Sequence, residues 1–329
     1  MRFSPSELML RAVDEARHAR LAAPPNPWVG AVVVDADGVI VGEGHTQAPG
    51  GAHAEIEALA RAGEFARGAT VVVTLEPCVH VGRTGPCVEA LIEAGVHRVV
   101  VGTLDPDPRV DGQGVSLLRA SGVDVEVGVE ESAVREQLAP YLWHRATGRP
   151  YVVAKVAATL DGVVAMADGT SQWITGEAAR RDAHRVRAES QAIVVGAGTV
   201  RADDPELTAR LDGAVLEPRR VVLGHAPRDA RVHPCLEWSG SLGGLLEELG
   251  ASGVLQVLIE GGPSTTSAFL SAGLVNRLVW YVAPAWAGAT GTRGALGALT
   301  TPTIDALQRG RLVAVRRIGE DVRVDVEVS

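Results

Sequence analysis

His53-Ala54-Glu55, together with Thr74-Leu75-Glu76-Pro77-Cys78 and the later Cys87, decides the fold of the first half of this chain. His53 lies in a run with helical apolar spacing, Cys78 follows a β-branched run typical of a strand, and Cys87 begins another helical run. Alternating strands and helices of this kind predict an α/β sheet with helices on its faces. The two cysteines then come from separate elements, and the helix starts favour thiolate over thiol.

These motifs supply one imidazole, two thiols and one carboxylate. Catalytic Zn²⁺ takes three nitrogen or sulfur ligands and keeps a fourth position for water, whose pKa it lowers. We therefore predict that His53, Cys78 and Cys87 bind zinc and that Glu55 is the proton shuttle, as in the His-x-Glu…Pro-Cys signature of zinc deaminases. The predicted chemistry is hydrolytic deamination of an amino-substituted heterocycle. The alternatives are a closed structural zinc site with His80 as fourth ligand, or two unrelated buried cysteines.

Two α/β domains are predicted along the chain. In the first, Ser4 caps a helix that starts at Pro5, a hairpin joins 30–34 to 39–41, and one helix covers 130–144. A short linker at 146–150 follows, and the alternation of strands and helices then restarts. The end of the chain, 312–318 and 322–328, reads as an antiparallel hairpin. The predicted domains are 1–147 and 148–329.

Composition excludes several classes of protein. The net charge of −9 over 329 residues argues against a nucleic-acid partner, which needs a basic stripe, although a few local arginines can still bind a small anionic substrate. No apolar run is long enough for a membrane span, and no signal peptide is visible, so a cytoplasmic protein is expected. With three cysteines, metal binding is expected rather than disulfides. Cys235 is expected to be a small buried hydrophobic residue.

Further motifs resemble a known family. Asn26-Pro27-Trp28-Val29-Gly30 and the zinc motifs, through Gly82-Arg83-Thr84-Gly85-Pro86-Cys87, resemble the riboflavin-biosynthesis bifunctional deaminase/reductase family. The second half resembles the reductase domain of that family in three motifs, which follow in order along the chain: Lys155-Val156-Ala157-Ala158-Thr159-Leu160-Asp161-Gly162, Ser171-Gln172-Trp173-Ile174-Thr175-Gly176 and Gly198-Thr199-Val200-Arg201-Ala202-Asp203-Asp204-Pro205.

The resemblance implies a cytidine-deaminase-like α/β/α domain followed by a dihydrofolate-reductase-like α/β domain. It also implies two reactions: a diaminopyrimidinone ribosylamino phosphate loses its 2-amino group as ammonia, and NADPH then reduces the ribosyl chain to ribityl. For the deaminase, it implies that Asn26 contacts the ring and that Arg83 binds the phosphate or ribose region. A turn residue before Pro27 is the alternative for Asn26.

For the reductase, the resemblance implies two sets of contacts. Glu260-Gly261-Gly262-Pro263-Ser264 joins a buried strand to a helix, where glycines let a phosphate reach free N–H groups, although a plain strand-to-helix turn would have the same sequence. Predicted NADPH contacts are Ala157, Trp173, Thr199, Asp203, Gly262, Pro263, Ser264, Thr265, Thr266, Ser267 and Ala268. Predicted substrate contacts are Ser171, Arg187, Leu207, Arg210 and Glu260.

Some of these residues have simpler interpretations. Trp173 could be a core aromatic and Arg187 a solvated helix residue, while Lys155, the lone lysine, is expected in a structural ion pair rather than as a general acid. Asp107 stands where the family commonly has Asn, and an ionised Asp cannot donate a hydrogen bond to a ring oxygen. The segment 224–242 is shorter than usual, which weakens the expectation of a complete cofactor site.

Alternative functions concern the second domain. It could be a non-catalytic dimerisation partner of an active deaminase, or a targeting module of a nucleic-acid-editing deaminase, which the acidic composition disfavours. Exposed apolar surface in this half would suit a homodimer.

Overall fold

The computed structural model describes residues 3–79, 85–211, 213–288, 290–297 and 299–328. The chain divides into two compact units, Met1–Gly148 and Arg149–Ser329, and this boundary falls inside the predicted linker. Each unit contains its own sheet. No helix in the described part of the chain has the length and apolar character needed to cross a bilayer.

The first unit is a five-stranded sheet of order β2-β1-β3-β4-β5 with helices around it. The strand β1 is antiparallel to β2 and β3, whereas β3, β4 and β5 run parallel. Its strands are β1 (Gly30–Val34), β2 (Ile40–His45), β3 (Thr70–Leu75), β4 (Arg98–Thr103) and β5 (Asp124–Val127). Its α-helices are α1 (Pro5–Ala16), α2 (Ala54–Ala62), α3 (Cys87–Glu93), α4 (Gln113–Ala120), α5 (Glu131–Gln137) and α6 (Ala139–Thr147).

Helix α1 is fixed at its start and along its length. Ser4 and Glu7 form the predicted capping box. The helix then crosses β1 so closely that a Cβ added at Gly30 would lie 2.0 Å from the Ala12 carbonyl oxygen. The sequence of α1 therefore positions β1, whose preceding segment contains Asn26.

The single helix predicted over 130–144 is wrong. The structure has two helices, α5 and α6, that meet at Leu138, whose φ of −94° and ψ of 6° depart from helical values. Pro140 lies in the first turn of α6, and a proline there has no N–H to continue the hydrogen bonds of α5. Trp28 packs at this break, where its Nε1 donates to the Gln137 carbonyl oxygen at 2.8 Å.

The second unit is built on an eight-stranded sheet of order β12-β11-β8-β13-β6-β14-β17-β16. All its neighbouring strands are parallel except β17, which is antiparallel to β14 and β16 in the predicted C-terminal hairpin. The strands of the unit are β6 (Tyr151–Thr159), β7 (Val163–Ala165), β8 (Ala192–Gly196), β9 (Ala209–Leu211), β10 (Ala214–Leu216), β11 (Arg219–Leu223), β12 (Leu236–Trp238), β13 (Gln256–Ile259), β14 (Arg277–Ala283), β15 (Arg293–Gly294), β16 (Gly310–Ile318) and β17 (Asp321–Val328). The α-helices are α7 (Glu177–Ala188), α8 (Ala197–Asp203), α9 (Leu242–Ala251) and α10 (Pro263–Ser271).

The core of this unit lies between the parallel strands and helices α9 and α10. Strand β13 is buried along its whole length, and Leu245, Leu249 and Phe269 pack against the central strands. The expectation that Cys235 is buried is wrong, because it is half-buried beside His233. It lies just before the short strand β12, outside the core.

Candidate active sites

His53, Cys78 and Cys87 come together in the first unit. His53 caps α2, Cys78 lies beyond the end of β3, and Cys87 begins α3. The His53 Nδ1 atom lies 3.2 Å from Cys87 Sγ and 3.6 Å from Cys78 Sγ. Donor atoms around a tetrahedral zinc lie roughly 3.3–3.8 Å apart, given bond lengths of about 2.0–2.3 Å. The side chains therefore stand at separations that suit a shared zinc ion.

The charges in this cluster are interdependent. The hydrogen bond with Cys87 lowers the pKa of the Cys78 thiol, and the same contact raises that of Cys87. The Cys87 backbone N–H also donates to Cys78 Sγ, at 3.5 Å. This N–H at the start of α3 contributes to the lowered pKa of Cys78, whereas the pKa of Cys87 itself is raised, against the expectation that a helix start favours its thiolate.

Glu55 lies in the first turn of α2 and is buried. Burial, followed by the charge on Cys78, raises the pKa of Glu55 to about 7. A carboxyl group with a pKa near neutral can both accept and release a proton at that pH. This environment is the one a proton shuttle needs.

A cavity of about 400 Å³ opens in front of this cluster. Asn26, predicted to contact a ring, lines it together with His53, Glu55 and Cys78. Arg83 and His80 lie outside the described residues. The sequence did not single out the other polar groups that line the cavity, which are Thr46, Glu76, Asp105, Arg109, Tyr141 and Arg145.

Glu76 and Asp105 organise the cavity wall. Glu76 is buried and accepts hydrogen bonds from the backbone N–H groups of Asp105, Gly112 and Val115, at 3.3, 2.9 and 3.1 Å. Asp105 accepts from the Tyr141 hydroxyl at 3.0 Å, and burial raises the pKa of Asp105. The sequence shows Glu76 only as part of a motif and does not indicate its role, because its hydrogen-bond partners lie in the segment that follows β4.

Asp107 also lines the cavity, at the position where the sequence departs from the family pattern. Its carboxylate accepts from Arg109 Nε and Nη2 at 2.9 and 2.6 Å. This hydrogen bonding lowers the pKa of Asp107 to about 2. Asp107 is therefore an ionised acceptor, and the departure places an Asp–Arg pair at the cavity.

Glu260 is the centre of a half-buried ion triad in the second unit. Its carboxylate accepts from Arg187 Nε and Nη2, both at 2.6 Å, and lies 3.0 Å from Lys155 Nζ. Burial disfavours the charge, but Lys155 and Arg187 outweigh it and lower the pKa of Glu260. The structural ion pair expected for Lys155 is confirmed, whereas the solvated alternative for Arg187 is wrong.

In the turn before α10, several backbone N–H groups already have hydrogen-bond partners, unlike the free N–H groups of a phosphate-binding turn. Pro263 has no N–H, and the Thr265 and Thr266 N–H groups donate to the Gly262 carbonyl oxygen at 3.1 and 3.2 Å. The Gly262 N–H donates to Thr199 Oγ1 at 3.2 Å. Of the remaining predicted cradle residues, Ser264 and Ala268 are exposed, and Ser267 is buried on the packed face of the helix.

Trp173 and Ser171 line a second cavity, of about 280 Å³. Trp173 is 71% exposed, so the alternative that it is a core aromatic is wrong. The Arg180 guanidinium stacks over its ring, 4.8 Å from the centroid. Ser171 donates to Asp203 in α8 at 3.3 Å, which joins two of the predicted contact residues.

The other predicted reductase residues lie in different segments of the second unit. Ala157 is half-buried in β6. Leu207 is buried and has a positive φ of 56°, which an L-residue rarely adopts. Arg210 is exposed, pairs with Glu206, and its backbone N–H donates to His184 Nδ1.

Comparison with known proteins agrees with both halves of this arrangement. Residues 4–103 match the family model of the cytidine and deoxycytidylate deaminase zinc-binding region, and residues 150–324 match that of the RibD C-terminal domain. The riboflavin biosynthesis protein RibD of Mycobacterium tuberculosis H37Rv is 43% identical, with 96% of this chain and 95% of that protein covered. The chain belongs to the RibD family.

Other RibD proteins cover the same length. RibD of Escherichia coli K12 is 39% identical over 95% of this chain and 96% of its own. Among solved structures, Acinetobacter baumannii RibD (form 1) has a TM-score of 0.91 at 38% identity, with 99% of both chains covered. A Thermotoga maritima structure described as a diaminohydroxyphosphoribosylaminopyrimidine deaminase/5-amino-6-(5-phosphoribosylamino)uracil reductase has a TM-score of 0.90 at 32% identity, again over 99% of both chains.

The RibD match confirms the predicted fold class and activity. The chain is a bifunctional enzyme of riboflavin biosynthesis, with a cytidine-deaminase-like domain followed by a dihydrofolate-reductase-like RibD domain. Zinc serves the deaminase and NADPH serves the reductase. The alternatives of a non-catalytic or nucleic-acid-targeting second half are not needed.

Proposed function

We propose that His53, Cys78 and Cys87 are the zinc ligands and that Glu55 is the catalytic acid and base of the deaminase. The observation that carries this proposal is the cluster of one Nδ1 and two Sγ atoms at 3.2 and 3.6 Å beside a buried carboxyl group. Two thiolates and one neutral imidazole suit Zn²⁺ and leave a position for water. When bound, zinc acidifies that water and makes a nucleophile available near neutral pH.

Glu55 moves the protons of the reaction. The proposed substrate is 2,5-diamino-6-(5-phosphoribosylamino)pyrimidin-4(3H)-one, in line with the diaminohydroxyphosphoribosylaminopyrimidine deaminase activity in the description of the Thermotoga maritima structure. Water adds to the ring carbon that bears the 2-amino group, and Glu55 takes a proton from it. Glu55 gives this proton to the ring nitrogen. It then takes the second proton from the hydroxyl now on the carbon and gives it to the amine, so that the carbonyl forms as the C–N bond breaks and ammonia leaves. Its pKa of about 7 allows both transfers at the same pH.

The cavity wall positions the ring and its substituents. Asn26 offers both a donor and acceptors to a pyrimidine edge. Asp105 is held by Tyr141 and by the Asp107 backbone, so its carboxylate accepts a ring N–H without moving. Arg109 and Arg145 line the same cavity and favour an anionic substituent, and we assign Arg83 to the phosphate or ribose region as well.

The second unit carries out the reduction. We propose that NADPH binds along α8 and α10. The space beside two glycines there supports this: a Cβ added at Gly262 would lie 3.5 Å from Thr199 Oγ1, and one added at Gly198 would meet no described atom within 4 Å. The space beside Gly198 leaves room for the cofactor, although the N–H groups of Gly262, Thr265 and Thr266 are already paired. NADPH supplies a hydride to the ribosyl carbon. Ala157, Trp173, Thr199 and Asp203 contact the cofactor in this proposal, together with the turn from Gly262 to Ala268.

Substrate binding in the reductase rests on the ion triad. Arg187 donates to both oxygens of Glu260. Its Nη1 also donates to the Thr208 carbonyl oxygen at 3.2 Å, so three hydrogen bonds fix the guanidinium. A guanidinium held in this way meets a phosphate in one orientation. Ser171, Leu207 and Arg210 complete the proposed substrate contacts.

We further propose a cytoplasmic homodimer. Thiol ligands require a reducing compartment, which the cytoplasm provides. Leu312 and Val315 on the edge strand β16 are 60% and 57% exposed, and an apolar strand edge favours pairing with a second copy. Sedimentation equilibrium of the purified chain is expected to give twice the monomer mass.

The test of both activities uses one reaction mixture. The diaminopyrimidinone phosphate is supplied with and without NADPH, while ammonia release and NADPH absorbance are followed together. We expect ammonia in both mixtures and NADPH oxidation only after ammonia has begun to accumulate. NADPH oxidation that precedes ammonia release, or ammonia release that requires NADPH, would contradict the proposed order.

A further inference from the structure

A second group of potential metal ligands lies in the first unit, formed by Glu15, His18 and His45. The Glu15 Oε1 atom lies 2.8 Å from His45 Nδ1, and Glu15 Oε2 lies 3.4 Å from His18 Nδ1. The three ligand atoms lie within 4.8 Å of one another. This cluster shares no residue with the proposed catalytic zinc site.

The local structure explains why these residues meet. Glu15 ends α1 and His18 follows three residues later in a short 3-10 turn, so both side chains lie on the same face. His45 ends β2, the strand that packs beside α1. The two imidazole rings are 5.5 Å apart between centroids and are tilted by 50°.

A second layer of contacts holds His45 in place. Its backbone N–H donates to Glu57 Oε2 at 2.9 Å, and the same oxygen accepts from Gln47 Nε2 at 2.8 Å. Glu57 Oε2 lies 4.0 Å from His45 Nδ1 and is also paired with Arg61. Supporting hydrogen bonds of this kind orient the ligands of metal sites.

We propose that Glu15, His18 and His45 form a second zinc site, distinct from the catalytic one. Two imidazoles and one carboxylate are a ligand set that zinc accepts, with water in the remaining position. Nitrogen and oxygen donors of a tetrahedral zinc lie roughly 3.3 Å apart, so with Glu15 Oε2 as the oxygen ligand the 3.4 Å separation from His18 Nδ1 already matches. His45 Nδ1 now contacts the other oxygen, Oε1, at 2.8 Å and would exchange this contact for the metal. His18 is 64% exposed and has the freedom to adjust.

The site would join two segments that lead into the deaminase cavity. His18 precedes the loop that contains Asn26, and His45 directly precedes Thr46, which lines the cavity. Thr46 Oγ1 already accepts from the Val29 N–H at 3.0 Å, so the two segments are linked near the cavity as well. A metal ion would therefore stabilise the cavity wall without contacting the substrate.

Zinc content of the full-length enzyme tests this site. Wild type, His18→Ala and His225→Ala are equilibrated with buffered free zinc, and bound zinc is measured by elemental analysis. His225 is the matched control because it is exposed and contacts a single carboxylate, Glu237, at 2.8 Å. We expect two zinc ions in wild type and His225→Ala, and one in His18→Ala with unchanged ammonia release.

Cobalt substitution gives a second readout. The proposed catalytic site has thiolate ligands and would show thiolate-to-cobalt charge transfer, whereas the second site has none. His18→Ala is expected to keep the charge-transfer band and to lose one equivalent of cobalt. One metal ion in wild type, or two in His18→Ala, would overturn the proposal. The loss of an ion from His225→Ala would also overturn it, because surface histidines would then bind metal without the cluster.

Discussion

Glu55 is buried and the Glu260 side chain is only 10% exposed, yet their surroundings shift the two pKa values in opposite directions. Burial and the nearby thiolate raise the pKa of Glu55, whereas Lys155 and Arg187 lower that of Glu260. A carboxyl group whose pKa is near neutral pH can take up and release protons, and a carboxylate that stays ionised can hold cationic side chains. These surroundings support the proposed roles, proton transfer for Glu55 and orientation of Arg187 for Glu260.

Removal of the Glu260 charge should destabilise the protein strongly. Glu260→Gln leaves Lys155 and Arg187 close together without their counter-charge, and breaking a buried pair costs about 3–5 kcal/mol. Urea unfolding measures this loss. Glu327→Gln is the control, because Arg311 and Glu327 form an exposed pair, for which about 0–1 kcal/mol is typical. Equal losses in the two variants would contradict the proposed role of the triad.

Asp107 gives a prediction about acid stability. Its pKa is lowered from 3.8 to about 2 on folding, chiefly by hydrogen bonds from Arg109. A lowered carboxyl pKa stabilises the fold above the unfolded value, and this stabilisation is lost as the pH falls through the folded value. The stability advantage of wild type over Asp107→Asn should therefore shrink from pH 5 towards pH 2 (about 2 being the folded pKa).

Unfolding free energies of both proteins across that pH range check the prediction. Asp229→Asn, at an exposed position, serves as the control and should show a smaller change with pH. A difference between wild type and Asp107→Asn that stays constant down to the lowest pH would contradict it.

The sequence indicates the proposed ligand residues, which the structure brings together, more readily than the residues around them. His53, Cys78 and Cys87 lie in short motifs at the ends of helices and strands. Such motifs can be recognised even when the predicted ends of these elements are slightly misplaced. Glu76 acts by accepting hydrogen bonds from the backbone near Gly112 and Val115, a contact that only the folded chain creates. No local pattern could have indicated it.

At the level of elements, the helix start at Pro5, the strand at 30–34 and the C-terminal hairpin agree with the sequence prediction, since capping and turn residues mark their ends. Apolar spacing continues across Leu138 and hides the helix break there, although Pro140 has no N–H to continue the hydrogen bonds of α5. Short strands such as β7 and β15, which form a two-stranded sheet with each other, carry too few residues for a periodic signal.

Helix α1 and strand β1 give a test of close packing. Gly30→Ala would place its Cβ 2.0 Å from the Ala12 carbonyl oxygen and 2.7 Å from the Ala16 nitrogen, so the backbones must separate. We expect a loss of stability of about 1–3 kcal/mol or more, as for overpacked cores.

Gly243→Ala in α9 is the matched control for that substitution. A Cβ there meets no described heavy atom within 4 Å, and alanine in a helix is favoured over glycine by about 0.5–1 kcal/mol. Thermal unfolding should therefore move in opposite directions in the two variants. A Gly30→Ala protein as stable as wild type would show that the helix and strand are not in such close contact.

At the scale of the whole molecule, each unit has its own sheet and its own cofactor. A ligand that binds only the native state stabilises the part that holds it, in proportion to the logarithm of its concentration over Kd. Removal of zinc with a chelator should increase amide hydrogen exchange within 1–148, and NADPH should decrease it within 149–329. Protection by NADPH confined to the first unit would contradict the assignment of cofactors to units.

The most direct measurement compares wild type with Glu55→Gln in both half-reactions. Gln keeps the size of the side chain but cannot move a proton, and general acid–base catalysis contributes about 10²–10⁴-fold. Ammonia release from the diaminopyrimidinone phosphate should fall by that factor, while bound zinc and NADPH oxidation with the aminouracil substrate stay at wild-type levels. Ammonia release within a few-fold of wild type, with zinc still bound, would contradict the role assigned to Glu55.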